Sequence, residues 1–198
     1  MIARHGVTPL LAAILAAVLV MHFLGVMLSV PAWLLVVVVL LLYRDPDRAI
    51  PSRPLSVVSP ADGRVISVEH TRDPYLDRAS LKISIEMGPF DVYTTRSPVE
   101  GKVLEPPARP ENKGIPHGVW LKTDEEDDIV VVMNRGRMNN KPRCYVGFGE
   151  RVGQGRRCGF VHWGGRVDVY LPDYTRPAVA ENNRVLGGAD VIATLVHE

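Results

Sequence analysis

Between Gly6 and Tyr43 the sequence contains no Asp, Glu, Lys or Arg. An uncharged run of that length, rich in Leu, Val and Ala, excludes a buried core helix and reads as membrane-embedded. Cysteine is scarce: Cys144 and Cys158 are the only two, which excludes a disulfide framework and leaves idle thiols or a single bridge. No sign of charge dominates. With a net charge of +1, neither a nucleic-acid partner nor an acidic disordered tail is indicated. The six histidines, His5, His22, His70, His117, His162 and His197, show no metal-ligand spacing, so no metal site is expected. Serine is absent after Ser97.

The uncharged run, if helical, would extend about 60 Å, close to two hydrocarbon crossings of ~30 Å. Pro31 is expected to interrupt it, leaving Val7 to Val30 and Ala32 to Tyr43. A tight helical hairpin fits best, or one span followed by a shallow re-entrant piece; a single long tilted helix is the alternative. Arg4 precedes the run, and Arg44, Arg48 and Arg53 follow it. By the positive-inside rule the downstream domain is expected on the cytoplasmic side of the cell membrane. The first apolar segment is too long for the h-region of a cleaved signal, and a second follows at once.

Three stretches organise the chain: a membrane anchor over 1–43, a basic, proline-punctuated linker over 44–56, and a β domain over 57–198. In the last, apolar and polar residues alternate at Arg64-Val65-Ile66-Ser67-Val68, Leu81-Lys82-Ile83-Ser84-Ile85 and Arg166-Val167-Asp168-Val169-Tyr170-Leu171. Period two with β-branched residues and Gly or Pro breaks predicts strands joined by turns. The fold class is therefore mainly β, an all-β sandwich after a membrane helical hairpin, with glycine-broken strands like those of lipoyl or hybrid-barrel folds. A lipoyl carrier needs a lysine at its hairpin tip, and Trp163-Gly164-Gly165-Arg166 has none. The run Asp124-Glu125-Glu126-Asp127-Asp128 is expected to be a solvated turn.

Four segments, in order, carry a resemblance: Tyr43-Arg44-Asp45-Pro46-Asp47-Arg48, Val58-Ser59-Pro60-Ala61-Asp62-Gly63, Met87-Gly88-Pro89-Phe90-Asp91-Val92-Tyr93 continuing through Arg96-Ser97-Pro98, and Gly159 to Pro172 around His162-Trp163-Gly164-Gly165. Together they resemble the phosphatidylserine decarboxylases of the short type, whose archaeal members act on archaetidylserine. The resemblance implies a carboxy-lyase of phospholipid biosynthesis, made as a zymogen, that converts a serine headgroup to ethanolamine with release of CO2. Its electron sink is a pyruvoyl group, which forms a Schiff base with the substrate amine. That group arises from a Gly-Ser pair: the serine hydroxyl attacks the preceding glycine carbonyl, and β-elimination then splits the chain.

In this sequence the pair reads Gly164-Gly165, and glycine has neither the β-carbon nor the oxygen that those steps use. Neither cysteine follows a glycine, so no pyruvoyl is expected here. A second departure is Tyr93, where the family has a histidine thought to assist processing; a phenol, with an ordinary pKa near 10, is a poor general base at neutral pH. Asp62 matches the family's acidic residue and reads equally as a turn aspartate. Arg96 is a candidate phosphate contact or a structural ion pair, and His162 a headgroup contact or a strand-surface histidine. Two functions follow: a decarboxylase whose activity is in question, or a non-catalytic paralogue that binds phospholipid headgroups or regulates an intact decarboxylase. Membrane phospholipid is the expected partner, with a homo-oligomer or an intact paralogue left open.

Overall fold

The computed structural model describes residues 6–105 and 118–196; Arg4, His5, His117 and His197 lie outside them. The chain divides into two compact units, Met1–Asp47 and Arg48–Glu198.

The first unit holds helices α1 (Val7–Leu24) and α2 (Val26–Leu42), which pack on one another. At 1.5 Å per residue each is about 26 Å long, near one hydrocarbon thickness. Among the described residues only α1, with a mean hydropathy of 2.4, is long and apolar enough to cross a membrane by length and composition. The break between the helices is not at Pro31, as the sequence reading expected, but at Gly25. Gly25 adopts φ 88°, a left-handed backbone that costs a residue without Cβ little. Pro31 sits one turn inside α2, where its ring forfeits a single backbone bond to Met27 and the helix continues. Ser29, one turn from the start, turns its hydroxyl back onto the Val26 carbonyl at 2.7 Å.

The second unit is mainly β. Its strands, among the described residues, are β1 (Ser56–Val58), β2 (Gly63–Asp73), β3 (Arg78–Glu86), β4 (Thr94–Arg96), β5 (Gly101–Leu104), β6 (Gly118–Lys122) and β7 (Asp128–Gly136). They continue with β8 (Arg143–Cys144), β9 (Arg151–Val152), β10 (Arg157–Phe160), β11 (Gly165–Pro172), β12 (Arg176–Pro177), β13 (Arg184–Val185) and β14 (Val191–Thr194). An eight-stranded antiparallel sheet runs β13-β2-β3-β11-β7-β6-β5-β9, beside three-stranded sheets β1-β14-β12 and β4-β10-β8. The three alternating sequence stretches form its adjacent strands β2, β3 and β11.

Their register explains the core. Val65 pairs with Ile85, Ile85 with Val167, and Val167 with Met133, and all four are fully buried. Each buried aliphatic side chain of this kind contributes about 1.5–3 kcal/mol relative to exposure. The opposite face of the same strands carries a buried carboxylate. Asp168 on β11 accepts from Ser84 Oγ on β3 at 2.7 Å, from Asn134 Nδ2 on β7 at 2.7 Å, and from Arg166 Nε at 3.1 Å. Three donors on three neighbouring strands offset the cost of removing the charge from water.

The acidic run departs from expectation. Thr123 to Asp128 turns the β6–β7 hairpin, with Glu126 at φ 71°, but Asp127 is buried. Its amide donates to Thr123 Oγ1 at 3.1 Å, and its carboxylate accepts the Tyr174 hydroxyl. A charge run can hide one member when a distant phenol meets it, and Tyr174 lies too far along the chain for local pattern to reveal it.

Two expectations follow. Asp168→Ala leaves the Ser84, Asn134 and Arg166 donors unmet and should cost about 3 kcal/mol, read as a thermal midpoint lower by about 10 °C. Burial also pushes the Cys158 thiol and the Tyr170 phenol up, each to about 12. Tyr174 is likewise pushed up to about 12, by burial and then by its bond to Asp127. In the unfolded chain these groups ionise nearer 9.0 for the thiol and 10.0 for the phenols. The unfolded state therefore releases protons first as pH rises, so stability is undiminished below about pH 9 and falls towards pH 12. The thermal midpoint should accordingly decline with pH above this point.

Candidate functional site

The loop Val161–Gly165 joins β10 to β11 and is held almost wholly by backbone. The Gly164 amide closes a turn onto the Val161 carbonyl at 3.3 Å. Trp163 and Gly164 both lie in the left-handed region, at φ 63° and 70°. Backbone bonds to neighbouring segments then fix it. Arg137 N–H meets the Gly164 carbonyl at 3.0 Å, Met87 N–H meets the Gly165 carbonyl at 2.9 Å, and Val161 N–H meets the Tyr93 carbonyl at 2.9 Å. Two consecutive loop carbonyls are thus gripped by the ends of β7 and β3. The approach demands Gly136, because any Cβ there would stand 2.2 Å from the His162 carbonyl oxygen.

Gly165 itself lies outside the left-handed region. A Cβ added to it would meet the Arg135 carbonyl oxygen and Val161 Cγ1 at 3.1 Å and the Gly136 Cα at 3.2 Å, so these neighbours must give by a few tenths of an ångström before a side chain fits. The backbone angle at 165 is not one that strains a side chain, although the sequence supplies none there.

Beside this loop a cleft of about 390 Å³ is bounded by Gly63, Ile66, Glu86, Gly88, Pro89, Phe90 and three arginines, Arg64, Arg137 and Arg184. Asp91 at its wall accepts the Gly88 amide at 2.6 Å and pairs with Arg184 at 2.8 Å. Glu86 meets Arg137 at 3.4 Å, and Arg64 donates to the Asn182 carbonyl at 3.1 Å. The Tyr93 side chain is buried behind the cleft, edge-on to Phe160 with ring centres 6.1 Å apart. Its hydroxyl donates to the Pro89 carbonyl and so props the cleft wall. His162 turns to the other side of the loop. It stacks edge-on to Phe160 at 4.8 Å and lines a separate cavity of about 330 Å³ with Asn140, Lys141, Pro142 and Arg143.

Asp62 and Arg96 are engaged around the Gly187-Gly188 turn. Asp62 is buried and makes a two-pronged pair with Arg48, with Arg48 Nη2 to Asp62 Oδ2 at 2.6 Å. The Gly187 amide donates to the same carboxylate at 2.8 Å, and Arg48 Nη1 reaches the Gly187 carbonyl at 2.8 Å. Arg96, also buried, donates to the Gly155 carbonyl at 3.1 Å, and its stem lies against Gly188. The structure therefore ties Tyr93 to the loop of Gly164 and Gly165 through the Val161 amide, packs both Tyr93 and His162 against Phe160, and engages Asp62 and Arg96 in buried contacts at the Gly187-Gly188 turn. Arg48, Asp91, Arg137 and Arg184 were not singled out from sequence. Asp91 stood within a motif, and Arg48 within the basic collar, but nothing local names their partners.

Neither thiol substitutes for a loop nucleophile. Cys158 is buried on β10, its thiol pushed up by burial against a smaller opposing effect of Thr95, and Cys144 is exposed. Among the described residues no three His, Cys, Asp or Glu side chains stand close enough to hold a metal ion.

The family model described as phosphatidylserine decarboxylase matches residues 37–114 and 116–193. The chain is 36% identical over 205 residues to the phosphatidylserine decarboxylase proenzyme of Nitrosomonas eutropha, covering 97% of this chain and 94% of that protein. It is 38% identical over 208 residues to the proenzyme of Burkholderia pseudomallei, covering 98% and 95%. Among solved structures, glucose permease IIA from Mycoplasma capricolum aligns with a TM-score of 0.44 at 17% identity, over 70% of this chain and 94% of that one.

Removing Arg48 should expose how much Asp62 leans on it. Arg48→Ala strands a buried carboxylate and is expected to cost about 3–5 kcal/mol, whereas Arg48→Ala combined with Asp62→Asn should recover much of that loss. Thermal unfolding of the three proteins in the same detergent checks the pattern.

Proposed function

Because the chain belongs to the phosphatidylserine decarboxylase family, we propose that it is a membrane-anchored member that stays a single uncut chain and engages phospholipid headgroups without making a cofactor of its own. The observation that carries this reading is Gly165. A pyruvoyl group needs a β-carbon and its oxygen at the residue after Gly164, and the residues present do not fit it. The Gly164 carbonyl still receives the Arg137 amide at 3.0 Å, and Gly165 lies outside the left-handed region that would strain a side chain.

The cleft suits an anionic, zwitterionic headgroup. Its arginines supply phosphate donors in the fork geometry that oxyanions match, and Glu86 and Asp91 supply carboxylates for an amine. Anchoring is supported by α1, with α2 packed on it, and by Arg44 and Arg53 just beyond the apolar run. By the positive-inside rule those arginines favour a β domain at the cytoplasmic face of the cell membrane. Tyr93 fits the same picture, since its hydroxyl is engaged by the Pro89 carbonyl where a processing residue would have to be free to move protons.

The state of the purified protein tests the proposal. A denaturing gel with intact mass should give one uncut chain, hydrazine trapping should find no keto group, and vesicles of serine phospholipid should release no CO2 above background. Two fragments split after Gly164, or a trapped keto group, would overturn it. Gly165→Ser alone is expected to give little cleavage, and Gly165→Ser with Tyr93→His a measurable fraction. Full processing by the single change would show Tyr93 to be harmless.

A further inference from the structure

Between Asp128 and Glu150 the sequence carries no acidic residue, while Arg135, Arg137, Lys141 and Arg143 all fall there. Arg135 donates to Asn139 Oδ1 at 3.0 Å, and Arg137 pairs with Glu86 at 3.4 Å. Lys141 and Arg143 instead line the cavity of about 330 Å³, together with Asn140, Pro142 and His162. That lining shares no residue with the lining of the cleft. It also differs in kind. The cleft sets Glu86 and Asp91 against its arginines, whereas among the described residues no carboxylate lines the smaller cavity.

The backbone brings these groups together without help from a ligand. The Asn139 amide donates to the Gly136 carbonyl at 2.8 Å, and the Gly136 amide donates to the Asn140 carbonyl at 3.0 Å. Asn139 takes φ 58°, a left-handed angle that asparagine tolerates. Pro142 then restricts the chain between the two cations. On β8, Arg143 lies opposite Phe160 of β10, so both side chains leave one face of that ladder. The Phe160 ring in turn meets His162 edge-on at 4.8 Å. A closed turn and a strand pairing thus hold the lining in place, which lowers the entropy lost when a ligand enters.

The chemistry of the lining selects that ligand. Ammonium and guanidinium groups only donate, an imidazole has a ring N–H to give in either protonation state, and Asn140 adds an amide. Such a set receives an oxyanion, with the guanidinium fork matching two oxygens and the ammonium acting as a point charge. The volume lies at the small end of the range for small-molecule sites. It suits a phosphate with a short substituent, not a polyanion. An amine on the ligand would meet cations and no carboxylate, so a serine or ethanolamine headgroup is the wrong occupant.

We infer that Asn140, Lys141, Arg143 and His162 form a second anion site, one that takes a phosphate monoester carrying no amine. A soluble phosphate and an acidic phospholipid headgroup share that chemistry. His162 belongs to the loop of Gly164 and Gly165, so an occupied site ties the β7–β8 connection to that loop. The inference stands apart from the headgroup reading of the cleft and from whether the chain is cut.

Isothermal titration of glycerol 3-phosphate into the full chain in detergent micelles tests it, with inorganic phosphate and phosphoethanolamine alongside. The first two should bind, more weakly as salt is raised, and phosphoethanolamine should bind severalfold less well than glycerol 3-phosphate. Lys141→Ala/Arg143→Ala, at two exposed positions, should lose about tenfold or more in affinity with an unchanged thermal midpoint. Arg184→Ala, in the cleft, should bind as the native chain does. Mixed micelles identify the source of the phosphate. Phosphatidic acid that abolishes the titration, where phosphatidylglycerol does not, marks a lipid headgroup; an unchanged titration marks a soluble phosphate. The inference falls if glycerol 3-phosphate and inorganic phosphate both fail to bind, or if the double variant binds like the native chain. It falls equally if phosphoethanolamine binds as well as glycerol 3-phosphate. Loss of binding in Arg184→Ala would place the phosphate in the cleft and overturn it too. Cleavage plays no part in the readout, so this result and the single-chain result can fail separately.

Discussion

Two consecutive carbonyls, those of Gly164 and Gly165, are gripped by the amides of Arg137 and Met87, and most of the site follows from that grip. Backbone can reach backbone so closely only where no side chain intervenes, which is why Gly136 lies beneath the loop and Gly164 within it. The ends of β7 and β3 are thereby drawn to one point. The turn after β3 is carried along, and with it Gly88, Pro89 and Asp91, so the cleft forms beside the loop. Tyr93 then braces the turn from behind through the Pro89 carbonyl.

The central sheet supports this arrangement by having two unlike faces. One is a row of Val, Ile and Met side chains matched across β2, β3, β11 and β7. The other is organised by the Asp168 carboxylate, which gathers donors from β3 and β7 and one from its own strand. Apolar contact alone tolerates sliding between neighbours, whereas a carboxylate with fixed donors does not. Register at β11 therefore sets where the loop just before it emerges. A comparable node, Arg48 with Asp62 and Gly187, ties the glycine turn before β14 to the start of β2.

Much of this was legible in the residues. Alternation at Arg64–Val68, Leu81–Ile85 and Arg166–Leu171 encodes strands because the pleat puts every second side chain on one face, and the structure makes those stretches direct neighbours. The four motifs named the family, and the missing side chain at Gly165 needs no coordinates to be seen. Other features depend on contacts that local pattern does not contain. Pro31 looked like the stronger helix breaker, yet near a helix start it forfeits little, and Gly25 took the reversal because only it accepts the backbone angle cheaply. Asp127 read as one more solvated charge until Tyr174, 47 residues away, covered it. Asp62 and Arg96 read as site residues by position in their motifs; their engagement by Arg48, Gly187 and Gly155 joins parts of the chain that spacing cannot relate. The arginines of the cleft come from β2, β13 and the loop after β7, and only the assembled fold shows them together.

β11 occupies an interior place in the eight-stranded sheet, with β3 on one side and β7 on the other. A polypeptide severed just ahead of it would hold its central strand by hydrogen bonds and packing alone, and after unfolding would have to recapture it as a separate molecule. Where the connection is unbroken, that strand is kept at high effective concentration beside its neighbours. Melting is then a unimolecular event from which the chain can return, whereas a chain nicked at this point risks losing its middle for good.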